Sequence, residues 1–254
     1  MFSLKGKTAL VAGASRGIGL AIAQHMATAG ARTILAARSR EALTERVREL
    51  TSDGYDVSAM ELDVSTRASI ETAADSLDGV DILVNVAGTN IRKRFEDYTR
   101  EEYDRLLETN LHGIVRLTQK IGAKMITRAK GGKVINIGSM MSLSGLPYLS
   151  VYAISKGGLA QLTKVLAAEW GRYNIQVNCI APGFIVTDLN RDMWNQEKMV
   201  TWLHANQANP NLGTPDDVAP LAVFLASRGA DYITGQIIAV DGGYSTTSVW
   251  PFEV

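Results

Sequence analysis

Short apolar runs alternate with longer amphipathic stretches along this chain. The apolar runs predict seven strands, at residues 8–12, 33–37, 57–62, 81–85, 133–137, 176–181 and 236–240. The stretches between them predict helices at residues 17–29, 41–50, 67–77, 100–129, 151–173 and 215–227. Because the strand runs are apolar throughout rather than alternating, we expect helices to cover both faces of their sheet. The pattern therefore predicts an α/β fold with a doubly wound parallel sheet.

One long interval, residues 182–215, breaks this alternation and carries no predicted strand or helix in its middle. It follows a predicted strand end, on the side where such sheets bind ligands. Long excursions of this kind in compact domains are often lids. We therefore favour a substrate-side lid over the alternative, a surface helical hairpin. The rest of the chain has no linker, repeat or low-complexity tract, so we expect residues 1–254 to form one domain.

Length, composition and charge indicate a globular protein and do not favour nucleic acid or a membrane as its partner. The chain has 254 residues, of which 46% are hydrophobic, which is enough for a full core. Its 26 basic and 26 acidic residues balance, so no global charge favours nucleic acid or a membrane surface. No apolar run reaches the length of a membrane span, and residues 1–7 lack the layout of a signal peptide. We expect a soluble cytoplasmic protein with a small-molecule substrate.

Cysteine and histidine add little chemistry. Cys179 is the one cysteine, so no internal disulfide forms, and its apolar neighbours Val177 and Ile180 indicate a buried strand thiol. The three histidines have no metal-like spacing to acidic residues, so we predict no metal site. We interpret His204, alone in the 182–215 excursion, as an exposed surface residue.

A glycine-rich turn joins the first predicted strand to the first helix. Glycines allow a tight turn and a close approach of the backbone to a ligand. The helix N-terminus then offers free N–H groups and a positive dipole end to a pyrophosphate. This position between a strand and a helix predicts a dinucleotide site. The residues expected to take part are Gly13, Ser15, Arg16, Gly17, Ile18 and Gly19.

The end of the second predicted strand indicates which dinucleotide is bound. An acidic residue there would bond the ribose hydroxyls of NAD. Here Arg38 follows the strand and no acid occurs before Glu41, so Arg38, with Arg16 nearby, is placed to pair with a 2′-phosphate. We therefore favour NADP over NAD. The alternative is that Arg38 and Arg40 are ordinary solvated residues at a helix start.

Two further strand ends fit a nucleotide. Asp63 follows the third strand, where an adenine amino group would lie; the alternative is a helix N-cap, a role that Ser65 could equally fill. The fourth strand ends at Asn85, and the small residues Ala87 and Gly88 after it leave space for the nucleoside against the sheet edge.

Tyr152 and Lys156 lie four residues apart in a predicted helix and therefore share one face. A fixed ammonium beside a phenol favours the phenolate and is expected to lower the pKa of Tyr152. Such a tyrosine exchanges protons near neutral pH better than an isolated one. Together with the glycine turn, the pair predicts redox chemistry on an alcohol or ketone.

Taken together, these residues resemble the short-chain dehydrogenase/reductase family, in its single-domain oxidoreductase branch. The resemblance covers essentially the whole chain. It rests on Gly13-xxx-Gly17-x-Gly19, residues 85–88, Asn110, Ser139, Tyr152-xxx-Lys156 and Pro182-Gly183. It implies a seven-stranded Rossmann fold of strand order 3-2-1-4-5-6-7, with helices on both faces, and a homotetramer.

The resemblance also assigns roles. Tyr152 would donate the proton in reduction and accept it in oxidation, and Lys156 would hold the nicotinamide ribose. Ser139 would hydrogen-bond the carbonyl oxygen, and Asn110 would hold a water connecting Lys156 to solvent. The remaining cofactor contacts it implies are Val64, Pro182, Gly183, Ile185 and Thr187, besides Tyr152 and Lys156 themselves.

The substrate is less well defined. The first residues, the loop from Gly88 to Phe95 and residues 241–244 resemble bacterial gluconate 5-dehydrogenases and keto-deoxygluconate dehydrogenases, and almost equally 3-oxoacyl-[acyl-carrier-protein] reductases. The basic run Arg92-Lys93-Arg94 is placed to receive a substrate carboxylate, or is a solvated or interface patch. Met141 and Trp194 either wall the substrate pocket or pack the loops.

Three alternatives and one segment stay open. A non-catalytic dinucleotide sensor is disfavoured because it need not keep a proton relay, and a 3-oxoacyl-thioester reductase is the runner-up enzyme. Relatives that are enoyl reductases have a wider Tyr–Lys spacing and lack the serine, which disfavours that activity. The aromatic C-terminal tail, residues 245–254, is expected to pack on a neighbouring subunit.

Overall fold

The computed structural model describes residues 2–188 and 190–245. Their strands form one parallel sheet in the order β3-β2-β1-β4-β5-β6-β7, which confirms both the doubly wound fold and the implied strand order. The strands are β1 Thr8–Ala12, β2 Arg32–Ala37, β3 Val57–Glu61, β4 Ile82–Asn85, β5 Gly132–Ile137, β6 Ile175–Pro182 and β7 Ile237–Val240. Most of the predicted C-terminal tail, residues 246–254, lies outside the described residues.

Helices cover both faces of this sheet. They are α1 Gly17–Thr28, α2 Arg40–Ser52, α3 Arg67–Ser76, α4 Arg100–Leu107, α5 Gly113–Arg128, α6 Ser150–Trp170, α7 Arg191–Trp194, α8 Glu197–Asn206 and α9 Pro215–Ala226. None of the helices in residues 2–188 and 190–245 is both long enough and apolar enough to cross a membrane.

The two faces explain why the strands are apolar throughout. In β1, Ala9 and Val11 pack into one hydrophobic cluster, together with residues of α1, α2 and α9. Leu10 and Ala12 point the other way, into a second cluster with residues of α3, α5 and α6. Because side chains of a strand alternate between faces, a strand covered on both faces is apolar at most of its positions.

The stretch predicted as one helix over residues 100–129 contains a turn of π-helix, Glu108–His112, between α4 and α5. There the Gly113 N–H bonds the Glu108 carbonyl five residues back. The wider turn carries Asn110, which is fully buried. π-Turns inserted in α-helices occur mostly at functional sites.

The 182–215 excursion contains two helices, α7 and α8, whose bounds the sequence pattern did not predict, although a helical hairpin was the alternative for this interval. Its two ends are closed on each other. The Gly213 N–H donates to the Phe184 carbonyl at 3.0 Å, and the Val186 N–H donates to the Gly213 carbonyl at 2.8 Å. The excursion is therefore fixed at its base, next to the carboxyl end of β6.

Candidate active site

The turn after β1 leaves no space for a side chain at Gly13 or at Gly19. Gly13 has a φ of +99°, and a Cβ there would lie 2.6 Å from the backbone nitrogen of Ala87. A Cβ on Gly19 would overlap the carbonyl oxygen of Gly13. The Gly13 N–H also donates to the Ala36 carbonyl at the end of β2, at 2.7 Å. The turn is therefore wedged between the ends of β2 and β4, which explains its glycines.

The N-terminus of α1 fits an anionic ligand. Within the described part of the chain, the N-cap residue Arg16 makes no side-chain capping bond and the first turn holds no acidic residue. The first N–H groups of the helix therefore keep their hydrogen-bonding capacity, and the dipole favours negative charge there. Backbone geometry and charge together fit the pyrophosphate of a dinucleotide.

The cations expected at the far end of the nucleotide are exposed. Arg16 and Arg38 lie on the surface, and neither forms an ion pair with any described residue. Ser39, directly after Arg38, caps α2 by accepting a bond from the Ala42 N–H at 3.3 Å. Arg38 thus precedes the helix and is unpaired among these residues.

Asp63, the candidate adenine contact, does not cap a helix, since the N-cap of α3 is Thr66. One oxygen of the Asp63 carboxylate accepts bonds from the Ser65 N–H at 2.9 Å and the Ser65 hydroxyl at 2.7 Å. These bonds fix the carboxylate beside Val64, which is buried. The alternative of a helix cap is therefore wrong for Asp63.

Asn85, at the end of β4, is buried, and its side chain bonds to other protein side chains. Its side-chain nitrogen donates to Thr118 Oγ1 at 2.9 Å and to Asn136 Oδ1 at 2.8 Å. Asn136 in turn donates to Thr163 Oγ1 at 2.9 Å. This buried polar chain runs from α5 through β4 and β5 to α6, so it holds the strand ends that carry the site.

Two cofactor-site segments from opposite ends of the chain meet at the glycine turn. The Thr187 methyl group would lie 3.4 Å from a Cβ placed on Gly17. A Cβ on Gly183 would lie 2.6 Å from the Asp241 Cα, so this turn is also tightly packed. Ile185, between them, is buried. The structure therefore brings the segment from Pro182 to Thr187 over the start of α1.

Lys156 is buried and held in place. Its side chain is 4% exposed, and its ammonium donates to the Ile137 carbonyl at the end of β5, at 2.7 Å. The ammonium lies 5.7 Å from the centre of the Tyr152 ring, one turn earlier on α6. A Cβ on Gly88 would lie 3.6 Å from it, so the end of β4 borders the same point. A buried cation beside a phenol is therefore present as the spacing predicts.

Asn110 uses its side chain to hold the loop after β4. Its amide oxygen accepts from the Thr89 N–H at 2.8 Å, and its amide nitrogen donates to the Thr89 carbonyl at 2.8 Å. The same nitrogen is 3.3 Å from Ser155 Oγ on α6. Both polar side-chain atoms of Asn110 are thus occupied, and they connect the π-turn, the β4 loop and the helix of Tyr152.

Ser139 keeps a proton to donate. Its Oγ accepts from the Met141 N–H at 3.2 Å, while its own N–H donates to Ser142 Oγ at 3.2 Å. The Ser142 hydroxyl donates to the Lys156 carbonyl at 2.9 Å. Within the described residues the Ser139 hydroxyl proton has no acceptor. Ser142, which the sequence analysis missed, therefore ties Ser139 to α6.

Aromatic side chains surround the substrate side. We call Phe184, Trp194, Trp202 and Tyr244 the aromatic cluster. The Phe184 ring lies 5.2 Å from Trp194, 5.3 Å from Trp202 and 5.0 Å from Tyr244, measured between ring centres. Phe184 and Tyr244 also pack with Tyr152 around the buried side chains of Met140, Met141 and Leu149. Met141 and Trp194, the predicted pocket residues, are 6% and 5% exposed, so they support this wall from behind.

The predicted basic run is not uniform. The Lys93 ammonium pairs with Glu102 at 2.9 Å, whereas Arg92 and Arg94 are exposed and form no ion pair with the described residues. The Lys93 N–H donates to the Tyr148 carbonyl at 3.0 Å, which ties this loop to the segment before α6. The two arginines remain available to an anion.

Cys179 is a buried strand thiol, as the sequence predicts. Burial raises its pKa to about 11, although the Lys156 charge acts in the opposite direction. The thiol is therefore protonated at neutral pH and chemically inert. Among the described residues no group of histidine, cysteine, aspartate and glutamate forms a cluster that could hold a metal ion.

Comparison with known proteins identifies the family. A family model described as enoyl-(acyl carrier protein) reductase matches residues 13–245. The chain belongs to the short-chain dehydrogenase/reductase family. It is an oxidoreductase that acts on alcohol and ketone groups, which confirms the reaction class that the sequence predicts.

Relatives with different names share nearly the whole chain. A 2-dehydro-3-deoxy-D-gluconate 5-dehydrogenase of Bacillus subtilis is 40% identical over 246 residues, covering 96% of this chain and 96% of that protein. A tropinone reductase homologue of Arabidopsis thaliana is 36% identical over 249 residues, covering 96% of this chain and 94% of that protein. The family is therefore clear, and the named substrates differ.

A solved structure also resembles this chain over nearly its whole length. The gluconate 5-dehydrogenase from Burkholderia cenocepacia, crystallised in complex with NADP and tartrate, has a TM-score of 0.93 and 34% identity. The match covers 97% of this chain and 98% of that chain. It confirms the strand order and the resemblance to gluconate 5-dehydrogenases.

Proposed function

We propose that this protein is an NADP(H)-dependent oxidoreductase that interconverts a carbonyl group and a secondary alcohol on a sugar acid or polyol. The observation that carries the proposal is the buried ammonium of Lys156, held between the Ile137 carbonyl and the Tyr152 ring. A positive charge fixed beside a phenol stabilises the phenolate that remains after proton donation.

Each of the site residues has a separate role in the reduction of a carbonyl group. Tyr152 donates a proton to the carbonyl oxygen, and in oxidation it accepts one from the alcohol. Ser139, whose hydroxyl proton is unused among the described residues, hydrogen-bonds the same oxygen as negative charge develops on it. Asn110 positions the loop after β4 against α6. The charges and hydrogen bonds around these residues support the proposed roles.

The cofactor site fits a nicotinamide dinucleotide, which supplies or accepts the hydride when bound. The glycine turn and the open N–H groups of α1 would hold the pyrophosphate. Arg38 and Arg16 would bind a 2′-phosphate, since both are exposed cations without an ionic partner among the described residues. The NADP bound to the Burkholderia enzyme supports this choice over NAD.

A sugar acid fits the substrate side best. The relatives named after gluconate and keto-deoxygluconate support it, and Arg92 and Arg94 are free to receive a carboxylate. Met141 and Trp194 would shape the pocket by supporting its wall. The 182–215 excursion, fixed at its base by Gly213 and Phe184, would act as the lid. By family resemblance we also propose a cytoplasmic homotetramer.

A panel of ketones with NADPH and NADH tests the proposal. The panel contains 5-keto-D-gluconate, a keto-deoxy sugar acid, acetoacetyl thioester, an enoyl thioester, tropinone and an aryl ketone. We expect turnover of a sugar acid with NADPH. Tyr152→Phe should lower kcat by about 10²–10⁴-fold, the usual contribution of a positioned acid, with NADPH affinity unchanged. Tyr148→Phe, an exposed phenol four residues earlier, serves as the matched control.

Other outcomes of the ketone panel would contradict parts of the proposal. Turnover by Tyr152→Phe equal to the wild type would remove Tyr152 as the acid. Reduction of the acetoacetyl thioester alone would make the protein a 3-oxoacyl reductase, and reduction of the enoyl thioester alone would match the family model's description. NADPH binding without any turnover would favour a dinucleotide sensor.

A further inference from the structure

A second phenol shares the apolar wall of Tyr152. Tyr244 follows β7, far from Tyr152 in the chain, yet both rings pack around the buried side chains of Met140, Met141 and Leu149. Phe184, at the carboxyl end of β6, belongs to the same wall. A substrate presented to Tyr152 therefore lies beside a surface that includes the Tyr244 ring.

The Tyr244 ring is held in a fixed orientation by the aromatic cluster. It meets the Phe184 ring edge-on, with 5.0 Å between ring centres and 88° between planes. Trp202 of α8 lies 5.9 Å away at 45°. Edge-to-face contacts of this kind are favoured by the ring quadrupoles. These contacts restrict rotation of the Tyr244 side chain, so its hydroxyl is held in one position.

The backbone under Tyr244 is equally well fixed. The Asp241 carboxylate accepts from the Ser245 N–H at 2.9 Å, and the Asp241 carbonyl accepts from the Tyr244 N–H at 3.2 Å. Next to this turn, the Asn209 N–H donates to the Gly242 carbonyl at 2.9 Å, and Gly183 packs directly on Asp241. The turn is thus attached both to the excursion and to the end of β6.

The hydroxyl of Tyr244 has no protein partner in the described part of the chain, although the ring is half-buried. Burial raises the pKa of Tyr244, so its phenol stays protonated and can donate at neutral pH. The side chains that pack with the Tyr244 ring are aromatic and aliphatic. Ligand pockets typically have this composition, in which a small number of polar groups sets orientation and selectivity.

We propose that Tyr244 is a substrate-binding residue whose hydroxyl bonds a hydroxyl or carboxylate oxygen of the substrate and thereby selects polyhydroxylated ketones over apolar ones. The inference rests on the proposed function and names the group that recognises the substrate away from the reacting carbon. Tyr244 takes no part in proton transfer. Removing its hydroxyl therefore weakens substrate binding and leaves the chemical step unchanged.

Steady-state kinetics with NADPH on two ketones tests this inference. The ketones are 5-keto-D-gluconate, which carries several hydroxyl groups and a carboxylate, and cyclohexanone, which carries neither. Tyr244→Phe should raise KM for 5-keto-D-gluconate about tenfold, the loss expected for one hydrogen bond, with kcat unchanged. Its constants for cyclohexanone and its affinity for NADPH should match the wild type. Tyr232→Phe, on a fully exposed phenol, is the control.

A second variant separates the hydroxyl from the ring. Tyr244→Leu removes the aromatic contacts with Phe184 and Trp202, so it should raise KM for both ketones, whereas Tyr244→Phe affects one. Equal KM values for Tyr244→Phe and the wild type on 5-keto-D-gluconate would overturn the inference and leave the proposed function intact. Wild-type protein that reduces cyclohexanone but neither 5-keto-D-gluconate nor the keto-deoxy sugar acid would overturn both, and the wild-type assay alone reveals that case.

Discussion

The two ends of the candidate site are built from different parts of the chain. At the cofactor end, backbone packs on backbone: Gly13 lies against Ala87, and Gly19 lies against Gly13 itself. At the substrate end, side chains pack on side chains, with Phe184 at the centre of the aromatic cluster. The cofactor end therefore depends on glycines that carry no side chain, and the substrate end depends on the shapes of aromatic side chains.

This difference explains what each end can vary. A backbone turn tolerates no added atom, so the same glycines recur wherever such a turn holds a dinucleotide. Substitution of single aromatic residues in the wall changes the shape of the substrate pocket while the sheet beneath it stays the same. Relatives that share nearly the whole chain but carry different substrate names fit this division.

The largest effect is expected from adding one methyl group at the cofactor end. Gly19→Ala places a Cβ on the Gly13 carbonyl, so we expect about 1–3 kcal/mol of lost stability from overpacking and loss of measurable NADPH binding. Gly145→Ala is the matched control, because no atom lies within 4 Å of its Cβ position. Thermal unfolding and NADPH fluorescence titration measure both. Equal behaviour of the two variants would contradict a backbone-built cofactor end.

The next largest effect is expected from reversing a charge at the same end. Arg38→Asp removes a charge-assisted bond to the 2′-phosphate, worth about 1.5–3 kcal/mol, and adds an acid for the ribose hydroxyls of NAD. NADPH affinity should fall about ten- to hundredfold, and the preference should shift toward NADH. Arg40→Asp makes the same charge change at the first residue of α2 and should leave the preference unaltered. Unchanged NADPH affinity in Arg38→Asp would rule out this contact.

The smallest effect concerns the π-turn between the two ends. Hydrogen bonds from Arg116, and secondarily His112, hold the pKa of Glu108 below its ordinary value. A folded-state pKa below the unfolded one stabilises the fold above the ordinary pKa, near 4.5, and this stabilisation disappears as pH falls through the lowered value. Glu108→Gln should therefore lose about 0.5 kcal/mol at pH 7.

Denaturation of the wild type and Glu108→Gln across pH checks the sign. The two stability curves should differ at pH 7 and converge in acid. Glu169→Gln, an exposed residue of α6 without an ion pair among the described residues, should follow the wild type throughout. A gap between Glu108→Gln and the wild type that widens as pH falls would show that Glu108 acts in another way.

The apolar runs predicted the sheet well because its inner strands are buried on both faces. Each predicted strand is present, with ends shifted by at most one residue, as for β2 and β6. The motif residues Gly13, Tyr152 and Lys156 lie where their spacing placed them, because a turn and a helix fix local geometry without help from distant residues.

What the sequence did not predict depends on distant contacts. The π-turn holds Asn110 through Thr89, twenty-one residues away, and lies where Gly113 packs on the Val64 carbonyl. The four-residue helix α7 has no periodicity to detect and is supported by the Trp194–Phe184 contact. Tyr244 stands in the turn of residues 241–244, whose resemblance to sugar-acid dehydrogenases assigned no role to this side chain. In each case tertiary packing, rather than local pattern, decides the conformation.

The aromatic cluster has an optical consequence. Two of the four tryptophans of the chain, Trp194 and Trp202, lie in the excursion, and both pack on Phe184. Indole emission depends on the polarity around the ring, and reduced nicotinamide absorbs where indole emits. The intrinsic fluorescence of the protein therefore includes a label-free signal from residues 182–215, which can be read in the same cuvette as turnover.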